Sequence, residues 1–467
     1  MRYVSTRGEA PALGFCDVLM AGLASDGGLY VPHTYPHLDA ATIAGFDGKP
    51  YAQVAQAVIE PFTGGEIAPA ALEAMIADAY ATFRHPAVAP LVEIDSGQWL
   101  MELFHGPTLA FKDVAMQLLA RLMDHVLESR DERATIVGAT SGDTGGAAIE
   151  AFRGRARTDV FILFPTGRVS DVQRRQMTTA SDANVHALSI DGNFDDCQAI
   201  VKAMFVNKPF RDRVALSGVN SINWGRIVAQ AVYYFTAAAA LGAPHRSISF
   251  CVPTGNFGDV FAGYVARRMG LDVDRLIVAT NVNDILKRAI DTGRYEVRGV
   301  VPTSSPSMDI QVSSNFERLL FEETGRDAAA VRAMMAGQAQ SGAFEIPAAA
   351  HAAIREGFDA ASCDEAMTAA TQGALVTSTG YLADPHTAVA IAGARATRAN
   401  APVVTLSTAH PAKFPDATRA ATGITPDLPA WLSDLHGREE RMVRLPADQK
   451  AVEAHVLAHA RAAMETA

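Results

Sequence analysis

A lysine stands in a short apolar segment that follows a turn. In residues 103–113, LFHGPTLAFKD, Pro107 and Thr108 predict a turn or the start of a helix, and Lys112 comes directly after Phe111. An amine among apolar neighbours is partly desolvated, which lowers its pKa and makes it nucleophilic. The alternative is that Lys112 extends its ammonium group to solvent along its aliphatic stem. The segment alone leaves both interpretations open.

A loop with two glycines follows the predicted strand 248–252 and precedes a predicted helix. Its sequence, residues 254–259, is TGNFGD. Successive N–H groups at the start of a helix bind phosphate, and glycine lets the backbone approach such a ligand closely. The alternative is a tight turn in which Asp259 caps the helix. The loop is not a nucleotide-binding P-loop, because it lacks the GxxxxGK[ST] pattern.

Two other loops carry hydroxyl groups at the ends of predicted strands. Residues 139–146, ATSGDTGG, combine hydroxyls with the N–H groups of a helix start, which would suit a carboxylate, although the charge of Asp143 would repel one. In the alternative interpretation Asp143 caps the helix. Residues 407–414, STAHPAKF, place the Thr408 hydroxyl where it could hydrogen-bond a ring nitrogen of a ligand. The alternative there is a turn that ends the strand.

The elements that must hold these loops are strands and helices in alternation. Between about residues 90 and 410, short runs such as ISFCVPT alternate with helical stretches such as GDVFAGYVARRMG. This pattern predicts an α/β fold, in which helices cover both faces of a largely parallel sheet. Residues 51–80 predict two helices separated by Gly64 and Gly65, and residues 91–103 predict two short strands around a turn.

The same pattern predicts three regions along the chain. We expect an N-terminal helical domain over residues 1–95 and a small α/β domain over residues 96–245. A large domain over residues 246–467 would follow and end in a helix. The chain can cross between the last two domains.

Composition and charge exclude several classes of protein. The 467 residues are 49% hydrophobic and 19% charged, which excludes general disorder, and the formal net charge of −11 opposes binding to nucleic acid or to an anionic membrane. Four scattered cysteines predict neither a zinc site nor a disulfide framework. Asp17 interrupts the N-terminal apolar run, and Gln230 interrupts the run 227–243, so we expect neither a signal peptide nor a membrane span. We therefore predict a cytoplasmic protein.

In this order, the segments resemble the threonine synthase family of pyridoxal-phosphate (PLP) enzymes. The likeness runs nearly end to end and includes YVSTRG, DGGLYVP, HGPTLAFKD, ATSGDTGGAA, NSINWGR, VPTGNFGD, ATNVND and STAHPAKF. The resemblance implies a fold type II PLP enzyme of the tryptophan-synthase-β kind. Such a fold has two open, mostly parallel sheets flanked by helices, here with an N-terminal mainly helical domain. The chain is similar to the bacterial and fungal branch of the family.

The resemblance also implies a role for each loop. Lys112 would carry PLP as an imine and transfer protons, and Thr408 would face the pyridine nitrogen. The residues that would hold the cofactor phosphate are Gly255, Asn256, Phe257 and Gly258. Those that would receive the substrate carboxylate are Thr140, Ser141, Gly142, Asp143 and Thr144. The candidates for a separate clamp on the substrate phosphate are Asn220, Ser221, Asn223, Arg226, Arg168 and Lys413. A surface ion pair is the alternative for each arginine.

The implied reaction converts O-phospho-L-homoserine and water to L-threonine and phosphate, by elimination of phosphate from Cγ and hydration at Cβ. Two alternatives stay open. One is a sister PLP lyase, such as a threonine or serine dehydratase or a phospholyase for phospho-amino acids; the other is a non-catalytic PLP-binding protein. Pro36 interrupts the HxxxH spacing of His33 and His37, so we expect no essential metal. The expected partner is a small-molecule substrate, and the expected state is a monomer or homodimer.

Overall fold

The computed structural model describes residues 1–397 and 399–465; residues 466 and 467, at the end of the predicted large domain, lie outside the described part. Over the described residues the chain forms two mainly parallel sheets with helices packed on their faces, preceded by a mainly helical N-terminal region. This arrangement confirms the α/β fold that the alternation of strands and helices predicts.

The N-terminal region contains the two helices predicted over residues 51–80. Its elements are β1 (Tyr3–Ser5), α1 (Phe15–Ala21), β2 (Tyr30–Pro32), α2 (Ala40–Ala44), α3 (Tyr51–Thr63) and α4 (Pro69–Tyr80). Gly64 ends α3 in the left-handed conformation, with a φ of +60°. Pro69 occupies the first turn of α4, where the N–H that it lacks would have no helical partner.

Strands and helices alternate from residue 91 onward. The strands are β3 (Leu91–Asp95), β4 (Gln98–Glu102), β5 (Ala134–Ala139), β6 (Thr158–Pro165), β7 (Val185–Asp191), β8 (Leu216–Ser217), β9 (Ile248–Pro253), β10 (Val273–Thr280), β11 (Arg294–Glu296), β12 (Ala343–Glu345), β13 (Phe358–Ser362), β14 (Val403–Ser407) and β15 (Val443–Pro446). The α-helices are α5 (Lys112–Arg130), α6 (Asp143–Phe152), α7 (Asp171–Thr178), α8 (Phe194–Val206), α9 (Lys208–Arg213), α10 (Trp224–Ala240), α11 (Gly258–Arg268), α12 (Ile285–Thr292), α13 (Phe316–Glu323), α14 (Ala328–Ser341), α15 (Ala348–Gly357), α16 (Glu365–Thr379), α17 (Pro385–Ala396), α18 (Pro415–Thr422), α19 (Gln449–His459) and α20 (Arg461–Glu465).

The larger sheet positions three of the four loops described above. Its strand order is β13-β10-β9-β14-β4-β3, and neighbours run parallel except β3 and β4, which form the predicted antiparallel pair. The smaller sheet is parallel throughout, in the order β15-β7-β6-β5-β8, and positions the fourth loop at the end of β5. Both sheets therefore present loops at the carboxyl ends of parallel strands, which is where α/β proteins bind ligands.

Two helices lie almost entirely inside the molecule. α5 buries most of its residues from Lys112 to Leu127, and α10 buries nearly every residue from Trp224 to Ala239. They pack on each other and on the N-terminal region, since α10 contacts α3 and α5 contacts α4. α10 contains most of the apolar run 227–243. Within the described residues, no helix is long and apolar enough to cross a membrane.

Strand pairing departs from the predicted domain limits in two places. β3 and β4 flank residue 95, yet both belong to the larger sheet, whose other strands begin after residue 245. β15 returns to the smaller sheet beside β7, and α19 packs on α8. Both departures are long-range pairings, which local patterns do not specify. The limits 1–95, 96–245 and 246–467 stay a prediction.

An ion pair with a buried carboxylate ties the C-terminal segment to the smaller sheet. The backbone N–H of Arg461 donates to Asp159 at 2.8 Å and its Nε donates at 2.7 Å, while Asp159 is only 2% exposed. Replacing Arg461 by Ala leaves the Asp159 carboxylate without its cation. We expect the free energy of unfolding, measured by urea denaturation, to fall by about 1–3 kcal/mol.

Arg444→Ala is the matched control. Arg444 Nε lies 2.6 Å from Asp191, but 68% of the Arg444 side chain is exposed to solvent. An exposed pair contributes little, so the expected loss is below about 1 kcal/mol. Equal losses in the two variants would contradict the importance of the buried pair.

Candidate active site

Four loops meet at the carboxyl ends of the strands. β9, β14 and β4 are parallel neighbours, so residues 254–258, 408–414 and 103–111 leave the larger sheet at one edge. The loop 140–142, which follows β5, joins them through the ion pairs of Asp143. The sequence predicts these loops separately, and the fold brings them together.

Lys112 begins α5 and is held against the segment that follows β14. The Phe111 N–H donates to the carbonyl of Thr408 at 2.8 Å, and the His410 N–H donates to the carbonyl of Leu109 at 3.0 Å. Leu109 has a φ of +63°, an uncommon backbone conformation for a leucine. These two hydrogen bonds set the position of Lys112 relative to Thr408.

Asp113 closes the turn before Lys112. Thr108 donates to the Asp113 carboxylate through its N–H at 2.8 Å and through its hydroxyl at 2.6 Å. Burial raises the pKa of Asp113 to about 6, against the effect of these hydrogen bonds. A Cβ at Gly106 would lie 2.5 Å from the Asp113 side chain, so the packing requires glycine there. The hydrogen bonds from Thr108 and the close packing against Gly106 thus fix the turn.

Asp143 lies between two buried lysines. Its Oδ2 is 3.4 Å from Lys112 Nζ, and its Oδ1 is 3.0 Å from Lys413 Nζ. Gln173 Nε2 donates to the same Oδ1 at 2.9 Å, and the Ser307 hydroxyl donates to Oδ2 at 3.5 Å. The alternative role of Asp143 as helix cap is wrong, because Asp143 is the first residue of α6 and its carboxylate faces these side chains.

The charges of this cluster act on the Lys112 amine in opposite directions. Burial lowers the pKa of Lys112, Asp143 opposes this effect, and Lys413 and Arg226 add to it. Burial also disfavours the Asp143 carboxylate, but Lys413 and Lys112 outweigh burial and hold the pKa of Asp143 well below its usual range. Asp143 is therefore an anion at neutral pH, and Lys112 loses its proton more readily than an exposed lysine.

Lys413 is held by three partners among the described residues. Its side chain is fully buried, and its Nζ lies 2.6 Å from Thr108 O, 3.1 Å from Gln176 Oε1 and 3.0 Å from Asp143 Oδ1. The contacts with Thr108 and Gln176 are hydrogen bonds, and the contact with Asp143 is an ion pair. These three contacts direct the Lys413 ammonium group toward Asp143.

The loop before α11 offers a row of backbone donors. Among the described residues, no acceptor is found for the N–H groups of Gly255, Asn256, Phe257 and Gly258. Phe257 has a φ of +62°, and α11 begins at Gly258 with no side-chain cap. Successive free N–H groups at a helix start form a site for an anion. The residues present therefore fit the phosphate of PLP.

Asp259 takes a different role from the helix cap considered as the alternative. It is the second residue of α11, and its carboxylate accepts hydrogen bonds from the hydroxyls of Tyr233 and Tyr234 on α10. Burial raises the pKa of Asp259 to about 6, and the two tyrosines act against this shift. Asp259 thus ties the start of α11 to α10.

Thr140 organises the loop that follows β5. Its hydroxyl accepts hydrogen bonds from the N–H groups of Gly142 at 2.9 Å and Gly145 at 3.0 Å. Gly142 has a φ of +143°, a conformation that favours glycine. In the described part of the chain, no acceptor is found for the N–H groups of Ser141, Asp143 and Thr144. These three donors suit a carboxylate.

The candidates in residues 220–226 divide into two groups. Asn223 caps α10, since its Oδ1 accepts from the Gly225 N–H at 2.9 Å and its Nδ2 donates to the Leu19 carbonyl at 2.8 Å. The side chains of Asn220 and Ser221 have no hydrogen-bond partner among the described residues, so they are free to bind a ligand.

Arg226 is a buried cation with unused donors. It is 4% exposed, its Nε has no partner in the described chain, and one of its other nitrogens donates to the Val219 carbonyl at 3.3 Å. It forms no ion pair with a described carboxylate. Burial lowers the pKa of Arg226 to about 10, which still leaves it charged at neutral pH.

Thr408 and Arg168 occupy different depths. Thr408 is 5% exposed, and among the described residues its hydroxyl has no hydrogen-bond partner, so it can donate to or accept from a ligand. Arg168 is exposed, two residues before Ser170, whose hydroxyl donates to the Lys413 carbonyl at 3.3 Å. Arg168 is thus open to solvent, whereas Thr408 is buried. No cluster of metal-ligating side chains is found within the ranges described.

Three residues of the site are not predicted from the sequence. Gln173 completes a capping box with Ser170 at the start of α7, and the spacing S-x-x-Q is a readable signal for that cap but not for its contact with Asp143. Asn315 and Arg318 support the two loops 255–258 and 220–223 from behind. The only indication of them in the sequence is that a polar residue and a charged residue stand in a segment that the fold buries.

Three family models match this chain. The family model "Pyridoxal-phosphate dependent enzyme" matches residues 83–409. The models "Threonine synthase N terminus" and "Threonine synthase, C-terminal" match residues 2–80 and 387–456. The three matches together extend from residue 2 to residue 456.

Individual relatives are similar over nearly the whole chain. Threonine synthase from Pseudomonas aeruginosa is 53% identical, with 98% of each chain covered. The crystal structure of PLP-bound threonine synthase from Brucella melitensis has 62% identity and a TM-score of 0.97, covering 99% of this chain and 100% of that one. The crystal structure of the yeast threonine synthase has 38% identity and a TM-score of 0.92, covering 97% and 98%. The chain therefore belongs to the threonine synthase family, whose members are PLP-dependent lyases.

Proposed function

We propose that this enzyme converts O-phospho-L-homoserine and water to L-threonine and phosphate, as the last step of threonine biosynthesis, in the cytoplasm. The observation that carries the proposal is a buried amine, Lys112, close to two separate sets of unused anion-binding groups. One set is the backbone of residues 255–258, and the other contains the buried cation Arg226. A cofactor phosphate and a substrate phosphate would need two such sites. A monomer or homodimer stays the expected assembly.

The cofactor would be held at three points. Lys112 would bind the PLP aldehyde through its amine, the N–H groups of residues 255–258 would receive the phosphate, and the Thr408 hydroxyl would meet the ring nitrogen. When bound, PLP withdraws electrons from the α-carbon of an amino acid. A hydroxyl in place of a carboxylate at the ring nitrogen favours the neutral ring, which discourages side reactions.

Lys112 would carry out the proton transfers at the substrate's α- and β-carbons. Its pKa is lowered by burial, so the free amine is available to accept a proton. Asp143, 3.4 Å away, stays charged and favours the protonated form of Lys112 once the proton has been taken up. The released phosphate can also accept a proton.

The substrate would be oriented at both ends. The free N–H groups of Ser141, Asp143 and Thr144 would bind its carboxylate, with Thr140 and Gly142 holding the loop in shape. Asn220, Ser221 and Arg226 would bind its phosphate, and Arg168 at the rim would attract it on entry. Asn223 and Lys413 would act as supports, because their polar atoms already have partners.

A product assay tests the proposal against a sister lyase. The purified enzyme is supplied with O-phospho-L-homoserine or with L-serine, and threonine, inorganic phosphate and keto acid are measured together. We expect equal amounts of threonine and phosphate from the first substrate and little keto acid from the second. Lys112→Ala should abolish turnover while PLP binds noncovalently. Keto acid as the main product from either substrate, or an active Lys112→Ala variant, would contradict the proposal.

Arg226→Gln tests the substrate-phosphate site. The variant removes a buried cation but keeps a polar side chain, so kcat/KM for phosphohomoserine should fall by at least about 100-fold, equivalent to about 2.7 kcal/mol. Arg168→Gln is the control, because the exposed side chain should cost less than about tenfold. Steady-state kinetics at several substrate concentrations measure both. Equal, small losses would remove Arg226 from the phosphate site.

A further inference from the structure

Arg318 on α13 is a fully buried cation without a carboxylate partner. It is 0% exposed, and its guanidinium donates to the Tyr30 carbonyl at 3.0 Å, to the Ile222 carbonyl at 2.6 Å and to the Asn315 side-chain oxygen. Its carbon centre lies 5.7 Å from the ring centroid of Trp224. Among the described residues it forms no ion pair.

Neutral acceptors do not compensate a charge in this position. Transferring a guanidinium from water to the interior costs more free energy than hydrogen bonds to carbonyl oxygens return. The neighbouring carboxylate, Glu317, is already bound to Arg7 at 2.9 Å and to the Thr6 hydroxyl at 2.6 Å. Burial accordingly lowers the pKa of Arg318 to about 10, and it remains charged at neutral pH. Glu317 acts on this cation electrostatically, but no described carboxylate forms an ion pair with it, so a further anion nearby would stabilise it.

Asn315 connects this cation to the two loops proposed to bind phosphates. Its side-chain nitrogen donates to the Asn256 carbonyl at 3.0 Å and to the Ser221 carbonyl at 3.3 Å, while its side-chain oxygen accepts from Arg318. Its backbone N–H also donates to the Asn256 carbonyl at 3.1 Å. The Asn256 carbonyl thus faces Asn315, while no acceptor among the described residues is found for the N–H groups of the loop 255–258.

We propose that Arg318 is a positioning residue for the cofactor phosphate. Its guanidinium reaches the loop 255–258 through Asn315, which fixes that loop together with Ser221 of the substrate-phosphate segment. The negative charge of the phosphate would stabilise the buried guanidinium by electrostatic attraction, which does not require direct contact. This inference rests on the proposed location of the cofactor phosphate.

The test compares two aldehydes that differ only in the phosphate. Apoenzyme is titrated with PLP and with pyridoxal, and the dissociation constant of each is measured by absorbance of the imine with Lys112. We expect Arg318→Met to raise the dissociation constant for PLP by at least about tenfold and that for pyridoxal by less than about twofold. Arg318→Lys, which keeps the charge, should bind PLP within about threefold of the parent enzyme.

Arg121→Met is the matched control. Arg121 is also a buried arginine, 7% exposed, but its partners are Asp78 and Gln117, away from the site. It should change the affinity for neither aldehyde by more than about twofold. If Arg318→Met weakens PLP and pyridoxal equally, or if Arg318→Lys is as weak as Arg318→Met, the phosphate-directed charge is disproved and Arg318 is a structural residue.

Two further variants keep the result unambiguous. Gly255→Val should weaken PLP binding by at least about tenfold if the phosphate lies on the loop; unchanged affinity would overturn the proposed cofactor site itself and, with it, the role of Arg318. If Gly255→Val weakens PLP but Arg318→Met does not, only the present inference fails. Where circular dichroism shows that Arg318→Met does not fold, Asn315→Ala replaces it, with the same phosphate-selective loss expected and an equal loss for both aldehydes as the contradicting result.

Discussion

The candidate active site depends on a balance of buried charges around Asp143. A buried lysine amine costs free energy when it is charged and is reactive when it is neutral. One carboxylate, Asp143, and a second lysine, Lys413, set the balance between these two states of Lys112. Lys413, which is held by Thr108, Gln176 and Asp143, keeps that carboxylate ionised. Asp143 in turn stabilises the protonated form of Lys112, but it does not hold Lys112 permanently in that form. The distance between Asp143 and Lys112 is 3.4 Å, which is longer than the 3.0 Å between Asp143 and Lys413. The loops, the sheet edge and the backbone hydrogen bonds to Thr408 serve to hold this cluster in place.

A second constraint is the supply of positive potential for phosphates in a chain with a net charge of −11. The loop 255–258 offers backbone N–H groups and no lysine or arginine, so its field comes from the start of α11. The two arginines near it, Arg226 and Arg318, are buried and lack carboxylate partners among the described residues. Buried cations act over a longer distance than exposed ones, because solvent does not screen them.

Local sequence patterns predict the helices, the strands and the loops, but they do not predict the tertiary contacts that join them. The α/β alternation, the helices at 51–80 and the hairpin at 91–102 follow from periodicity and turn residues. The return of β15 to the smaller sheet does not, because strand pairing across more than 250 residues leaves no local trace. For the same reason, local patterns allow Asp143 and Asp259 to be helix caps, whereas in the structure tertiary partners bind both carboxylates. Lys413 lies in a loop that the sequence singles out, but the direction of its side chain is set by Asp143 and Gln176, which no motif records.

The most direct measurement reduces the purified holoenzyme with borohydride, which turns an imine between PLP and a lysine into a stable secondary amine, and then maps the labelled peptide by mass spectrometry. A pyridoxyl group on Lys112, in the segment LAFKD, is the result expected if the buried amine beside Asp143 anchors the cofactor. A label on another lysine, or no labelled lysine in an active preparation, would contradict the account at its centre.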